Sequence, residues 1–369
     1  MEKIAVIGIG RLGLCLALNL EKAGFNVTGV DVSKNYVDEI NHKTFQSPEP
    51  FVNELLRKST SFTATNDLNE IFENRITTLF VVLPTPSLTD GSFDHQFINS
   101  VADKLIKRGI QDKTHHLIIN STTMPGYCDE LHKKMKAFNY EVTYNPEFIA
   151  QGSIIHDQLN PDQILIGEET KEAGDLLEKI YKQMCKSKPK ICRMSRVSAE
   201  ITKLATNCYL TTKISFANSI GDIAKRAGGE PEKILEAIGV DSRIGTRYFK
   251  YGFGYGGPCF PRDNKAFTKF ASDKNYKMLI SEATDKANEL HGDFLFEDWT
   301  KQHNNEKPIV FDFVTYKKGT DILEESQQLK LAVALANSGK KVLIRENANV
   351  VKALINAYGN LFMYEVNGE

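Results

Sequence analysis

The sequence predicts an α/β protein: an open, largely parallel sheet first, a long-helix region next, and a short second α/β unit at the end. Three observations point there. Apolar runs at residues 3–9, 77–83 and 116–120 alternate with helix-patterned segments. A glycine triplet follows the first run at once. From Ser198 a stretch of helical spacing runs without glycine or proline until Gly221. At 369 residues the chain exceeds one ordinary core, and the expected divisions are 1–197, 198–299 and 300–369.

Taken in order, residues 3–9 form a continuous apolar run ending near glycine, as a strand covered on both faces requires. Gly8, Gly10 and Gly13 then supply GxGxxG, and a helical pattern continues to Gly24. A second strand delivers Asp31. This order suits a dinucleotide. Gly8 permits the tight turn, Gly10 lets a pyrophosphate approach the backbone, and Gly13 lets helix and strand pack closely. Asp31 can accept the ribose hydroxyls and would repel a 2′-phosphate, which favours NAD over NADP. Further strands are expected at 77–83, 116–120, 141–145 and 163–167. Their carboxyl ends are polar and turn-rich, at Pro84-Thr85-Pro86, Ser121-Thr122-Thr123 and Asn145-Pro146-Glu147.

The helix from Ser198 is long enough to join two domains and to pack against a second subunit. Lys203 and Asn207, four apart, share one face of it. Helical stretches follow at 231–238 and about 262–290. Between them, residues 246–263 hold Gly252, Gly254, Gly256 and Gly257, then Pro258, Cys259 and Pro261. Such a loop is costly to order, so its backbone is expected to wrap a ligand and its cysteine to be reactive rather than buried. An exposed linker is expected at 300–307, then a βαβ-like unit.

Composition limits the alternatives. Apolar residues make up 41% and charged residues 25%, as in a folded globular chain. A net charge of −1 offers no basic field for a nucleic-acid backbone. No apolar run reaches the roughly 18 residues that span a bilayer, and the first strand starts too early for a signal peptide. Six cysteines lack a pairing pattern and eight histidines form no ligand spacing, which implies a cytoplasmic chain with reduced thiols and no metal. Asn120-Ser121-Thr122 matches a glycosylation acceptor but follows a buried-looking strand.

Nine segments together resemble the UDP-glucose 6-dehydrogenase family of nucleotide-sugar dehydrogenases. They are GIGRLG (8–13), LPTPSLTDGSFD (83–94), STTMPG (121–126), YNPEF (144–148), NPD (160–162), EITKLATNCYLTTKISFANSI (200–220), DSRIG (241–245), GFGYGGPCFPRD (252–263) and YKKGTD (316–321). The glycine loop with its cysteine, and Asp263 four residues on, is the most specific. The resemblance implies an N-terminal Rossmann-type NAD domain, a central long-helix dimerisation region and a smaller Rossmann-like C-terminal domain that helps bind UDP. It also implies a homodimer.

Roles follow by the same resemblance. Cys259 is the nucleophile, and Lys203, Asn207 and Asp263 surround the reacting oxygen. Thr122 and Glu147 handle water and protons. NAD contacts Gly8, Gly10, Arg11, Leu12, Gly13, Asp31, Lys34, Thr85 and Thr122. The UDP-sugar contacts Glu147, Phe148, Ile149, Gln151, Lys203, Asn207, Tyr248, Tyr251, Gly252, Gly256 and Lys317, with Arg243 reaching in from the neighbouring subunit. The expected reaction is oxidation of the C6 alcohol of UDP-glucose to UDP-glucuronate. A thiolate can hold the aldehyde as a thiohemiacetal until the second oxidation gives a thioester.

Two positions depart from the family pattern. Gln151 stands where a second glutamate is usual, and glutamine cannot act as a base. Glu324 stands where an arginine is usual. Other readings are a dehydrogenase of a UDP-N-acetylhexosamine or UDP-galactose-type sugar, a simple two-electron 2-hydroxyacid or 6-phosphogluconate-type dehydrogenase, and a silent NAD-binding protein. The simple dehydrogenases would not need the 252–263 loop, and a relic would be expected to lose Cys259, Lys203 or Asp263.

Overall fold

A computed structural model describes residues 2–303 and 307–367. The chain forms two compact units, Met1–Lys203 and Leu204–Glu369, each described by itself. Unit one is built on eight strands: β1 (Lys3–Ile7), β2 (Asn26–Val30), β3 (Phe62–Thr65), β4 (Thr78–Val81), β5 (His115–Ile119), β6 (Tyr140–Tyr144), β7 (Gln163–Gly167) and β8 (Lys190–Met194). Their order across the sheet is β3-β2-β1-β4-β5-β6-β7-β8. All neighbours are parallel except β6 and β7, which meet antiparallel at Tyr144 and Gly167. Strands β1 and β4 are buried almost throughout, in line with their continuous apolar runs.

Apolar clusters fill both faces of the sheet. The first gathers Leu14, Leu16, Leu18 and Leu20 of the helix Arg11–Lys22 with Ile4, Val6 and Phe25. The second gathers Leu79, Val81, Ile119 and Tyr144 with Leu105 and Leu131. Strands β3 and β8, absent from the expectations above, are the two edges of the sheet. Edge strands need no apolar run, and β8 is nowhere fully buried.

The helix Arg196–Ala227 follows β8. Arg196 anchors its start, donating to Asp129 at 2.6 Å, Glu169 at 2.7 Å and the Val142 carbonyl at 3.1 Å. Unit two continues with helices Pro231–Gly239, Phe260–Asp273 and Leu279–Gln302. The single helical stretch expected over 262–290 is therefore two helices, divided where Asn275 takes a positive φ of 57°. The second helix also runs further than expected, into the segment read as linker. Leu295 belongs to the apolar cluster of the final sheet and Trp299 packs against it, so helix remains favourable to Gln302. Residues 304–306 of that linker lie outside the described residues. The final sheet is parallel, in the order β11 (Met363–Val366), β10 (Val342–Glu346), β9 (Ile309–Phe311). Among the described residues no helix is long and apolar enough to cross a membrane, and none of the six cysteines is in a disulfide.

Candidate active site

The first turn of unit one has a shape that only glycine permits. Gly8 has φ 91°, and a Cβ there would lie 2.4 Å from the Val82 carbonyl oxygen. A Cβ on Gly13 would lie 1.9 Å from the Gly8 oxygen, so strand and helix touch through bare backbone. A Cβ on Gly10 would meet nothing within 4 Å. Gly10 is the N-cap of the helix Arg11–Lys22, and no side chain caps it. Open backbone at a helix N-terminus fits a pyrophosphate. Asp31, just past β2, accepts the Ser33 amide at 3.1 Å. Lys34 is exposed and pairs with Asp38 at 2.8 Å. Leu12 packs on the apolar cluster of the helix.

The ends of β4 and β5 are tied together. Thr85 donates its hydroxyl to the Thr122 carbonyl at 2.7 Å. The turn after Thr122 is held by Glu200, a fully buried carboxylate on the long helix. It accepts from the Thr123 hydroxyl at 3.0 Å and from the amides of Gly126 and Cys128 at 2.6 and 2.9 Å. Burial pushes Glu200 above the usual carboxylate range, against the pull of these donors.

Glu147 stands on the turn after β6. The backbone there is fixed by Asn120, whose amide donates to the Asn145 carbonyl at 2.6 Å, and by Asn145, which donates to the Leu165 carbonyl at 2.9 Å. Gln158 Nε2 donates to both Glu147 oxygens at 3.0 Å. Lys203 donates to the Glu147 main-chain carbonyl at 2.7 Å and lies 4.6 Å over the Phe148 ring. Burial raises the Glu147 carboxyl to about 7, with Gln158 and then Lys203 pulling it back down. Ile149 packs on the helix cluster. Gln151 accepts from Arg11 at 2.7 Å, so the residue that replaces the usual glutamate is bonded to the glycine turn. Glu49 pins the following backbone, accepting from Gly152 at 3.0 Å and Ile154 at 2.8 Å.

In unit two, Cys259 is exposed and forms the N-cap of the helix Phe260–Asp273. A helix N-terminus favours developing negative charge. Asp263, one turn on and 1% exposed, accepts from Asn207 at 2.6 Å and from Arg262 at 3.3 Å. The glycine loop before the cysteine is packed against protein on three of its four glycines. A Cβ on Gly254 would reach Asn288 Oδ1 at 2.3 Å, one on Gly256 the Glu325 oxygen at 2.1 Å, and one on Gly257 the Tyr316 ring at 2.5 Å. Gly252 is open. Asn288 also bonds both the amide and the carbonyl of Tyr255, at 2.9 and 3.0 Å. Tyr251 donates to Asp222 at 2.9 Å and packs edge-on to His291. His291 in turn faces Asp222 at 2.8 Å and the Gly252 carbonyl at 2.6 Å.

The remaining expected residues of unit two are exposed. Tyr248 has a positive φ of 59° and meets Phe260 edge-on. Arg243 folds back onto Asp241 at 2.7 Å. Lys317 offers its carbonyl to Thr320 Oγ1 at 2.7 Å. Residues that the motifs did not single out are Asn19, Glu49, Gln158, Glu200, Asn288 and His291. The one visible sign was Asn19, a polar residue inside the apolar helical run LGLCLALNL.

Comparison with known proteins shows the family of the chain. The profile of the UDP-glucose/GDP-mannose dehydrogenase family matches twice, its NAD-binding domain over residues 2–185 and its central domain over 197–290. A UDP-glucose 6-dehydrogenase of Pseudomonas aeruginosa is 30% identical over 92% of this chain and 78% of its own length. One from Haloferax volcanii is 29% identical over 92% and 82%. The solved UDP-glucose dehydrogenase of Pyrobaculum islandicum superposes with a TM-score of 0.88 at 28% identity, covering 99% of this chain and 86% of that one. A UDP-D-ManNAc dehydrogenase from Pyrococcus horikoshii shares the fold, with a TM-score of 0.79 at 23% identity over 93% and 83%. With an NAD-binding domain at its N-terminus, the chain belongs to the UDP-glucose/GDP-mannose dehydrogenase family of nucleotide-sugar oxidoreductases.

Proposed function

We propose that the chain oxidises the C6 primary alcohol of UDP-glucose to the carboxylate, giving UDP-glucuronate. The observation that carries this reading is the exposed Cys259 thiol at the start of a helix, at the end of a firmly packed glycine loop. A two-electron alcohol dehydrogenase has no use for a nucleophile held in this way. NAD, bound at the turn of Gly8, Gly10 and Gly13, supplies the hydride acceptor.

The C6 alcohol first loses a hydride to the bound acceptor and its hydroxyl proton to solvent, giving an aldehyde. Cys259, with its thiol proton given up to solvent, then adds its sulfur to the aldehyde carbon, forming a C–S bond while the C=O π pair moves to the oxygen. Lys203 and Asn207 donate to that oxygen, each well-placed donor being worth roughly 3 kcal/mol. Asp263 fixes the Asn207 amide through their 2.6 Å bond. Once oxidised, the adduct is a thioester. Glu147 then takes a proton from water, whose oxygen attacks the acyl carbon; the C–S bond breaks and the thiol is regenerated. A carboxyl near 7 is matched to this work at neutral pH. Thr122 holds the water, and Arg11, through Gln151, steadies the segment that follows Glu147.

A homodimer belongs to the same reading. Tyr209, Phe216 and Ile223 recur every seventh residue along the long helix and are 63%, 52% and 64% exposed. In this reading Arg243, whose side chain is 86% exposed, leaves Asp241 to serve a partner's substrate. The test is a panel of UDP-glucose, UDP-galactose and UDP-N-acetylhexosamines followed by NADH release, with molecular mass measured in solution. UDP-glucose should be turned over fastest and yield two NADH per sugar. A single NADH per sugar, or an N-acetylated sugar as the preferred substrate, would overturn the assignment.

A further inference from the structure

We propose that Gln158, backed by Asn19, is a positioning residue for Glu147: the two amides form a chain whose donors all point toward the carboxylate. The proposal rests on the reading of Glu147 as the base. Its direction is fixed from the far end. Asn19 Nδ2 lies 3.4 Å from the Ile155 carbonyl oxygen, which can only accept, and donates to Gln158 Oε1 at 2.9 Å. With its oxygen committed to Asn19, Gln158 must turn its NH2 to Glu147, where it reaches both oxygens at 3.0 Å. Reversing either amide would set oxygen against oxygen.

The setting makes these amides costly. Asn19 is fully buried and Gln158 is 4% exposed, amid an apolar cluster that includes Leu18, Ile155 and Leu159. An aliphatic side chain at either position would suit that cluster, whereas a buried amide costs about 1–3 kcal/mol unless bonded. The bonds formed here lead to one place, the Glu147 carboxylate. Burial drives that carboxyl up and Gln158 is the largest opposing influence, followed by Lys203 and Asn120. Two further titratable groups feel its charge, the Cys15 thiol and the Tyr181 phenol; burial first and then Glu147 among the nearby charges push both up, so they stay neutral.

The test is the pH profile of kcat for Gln158→Leu and Asn19→Leu beside the unaltered protein, using the UDP-hexose it turns over fastest. Without Gln158, the acid limb should move to higher pH by about one unit, while the alkaline plateau stays within a few-fold and KM for NAD is unchanged. Asn19→Leu should shift the limb the same way by less. A purely structural role would lower the plateau and leave the limb in place, and that result overturns the proposal. If Gln158→Leu does not fold, Gln158→Met takes its place. Glu147→Gln separates this proposal from the reading beneath it. Should that variant keep full activity, Glu147 is not the base. The titration of its ¹³C-labelled carboxyl, identified by loss of the signal in Glu147→Gln, then decides alone whether the amides act on it.

Discussion

Glu147 and Cys259 are held by different means. Glu147 follows β6, where the first parallel run of the large sheet ends, and its side chain is gripped: Gln158 takes both oxygens while Lys203 binds its carbonyl. At Cys259 it is the backbone that is gripped. Asn288, Glu325 and Tyr316 close on the glycines before it, and the thiol itself is left exposed. The difference follows from the task proposed for each. A base needs its proton affinity adjusted, which takes burial and chosen donors. A nucleophile that forms and breaks a bond needs access, so rigidity must come from the main chain.

The largest effect that would break this comparison is at the thiol. Cys259→Ser should lower overall turnover by at least about a thousand-fold and leave NAD binding and thermal stability intact. Full NADH yield from the variant would remove the cysteine from the chemistry.

Next comes Glu147→Gln, expected to slow turnover about a hundred- to a thousand-fold while stabilising the fold. The folded-state carboxyl titrates at about 7, above its ordinary value of 4.5. Between those values the folded chain keeps a proton that the unfolded chain has released. The associated stability is complete below pH 4.5 and is lost as pH rises through 7. Glutamine has no proton to lose. Well above pH 7 the variant should therefore resist denaturant by about 3 kcal/mol more than the parent, and the two should converge below pH 4.5. Equal stability at pH 8 would show that the carboxylate is not strained by burial.

The smallest effect concerns the backbone grip. Gly256→Ala would set a Cβ 2.1 Å from the Glu325 oxygen. The clash should cost about 1–3 kcal/mol and lower the melting temperature by several degrees. An unchanged melting temperature would mean that the loop yields easily.

The sequence made some of this visible and hid the rest for identifiable reasons. β1 and β4 were legible because a strand buried on both faces is an unbroken apolar run. β3 and β8 were not, since each is an edge with a single sheet neighbour. Gly8, Gly10 and Gly13 could be assigned by their spacing, and their conformations follow it. The loop at 252–263 was legible as a special segment but for an incomplete reason. A glycine-rich run suggests backbone wrapped on a ligand, yet Gly254, Gly256 and Gly257 are needed against Asn288, Glu325 and Tyr316, partners distant along the chain. Gln158 escaped for a similar reason, because Asn19 and Glu147 meet it from opposite sides, one of them through a separation of 139 residues.

The reversal between β6 and β7 has a consequence for the route of the chain. A parallel successor to β6 would have sent the polypeptide back across the sheet before it could re-enter. With β7 running the other way, residues 145–162 leave and return on the same side, freed from bridging duty. That stretch supplies Glu147, Phe148, Ile149, Gln151 and Gln158 from one uninterrupted excursion. Insertions or exchanges there would leave strand order and crossovers untouched, so this excursion can change in length and sequence without disturbing the sheet beneath it.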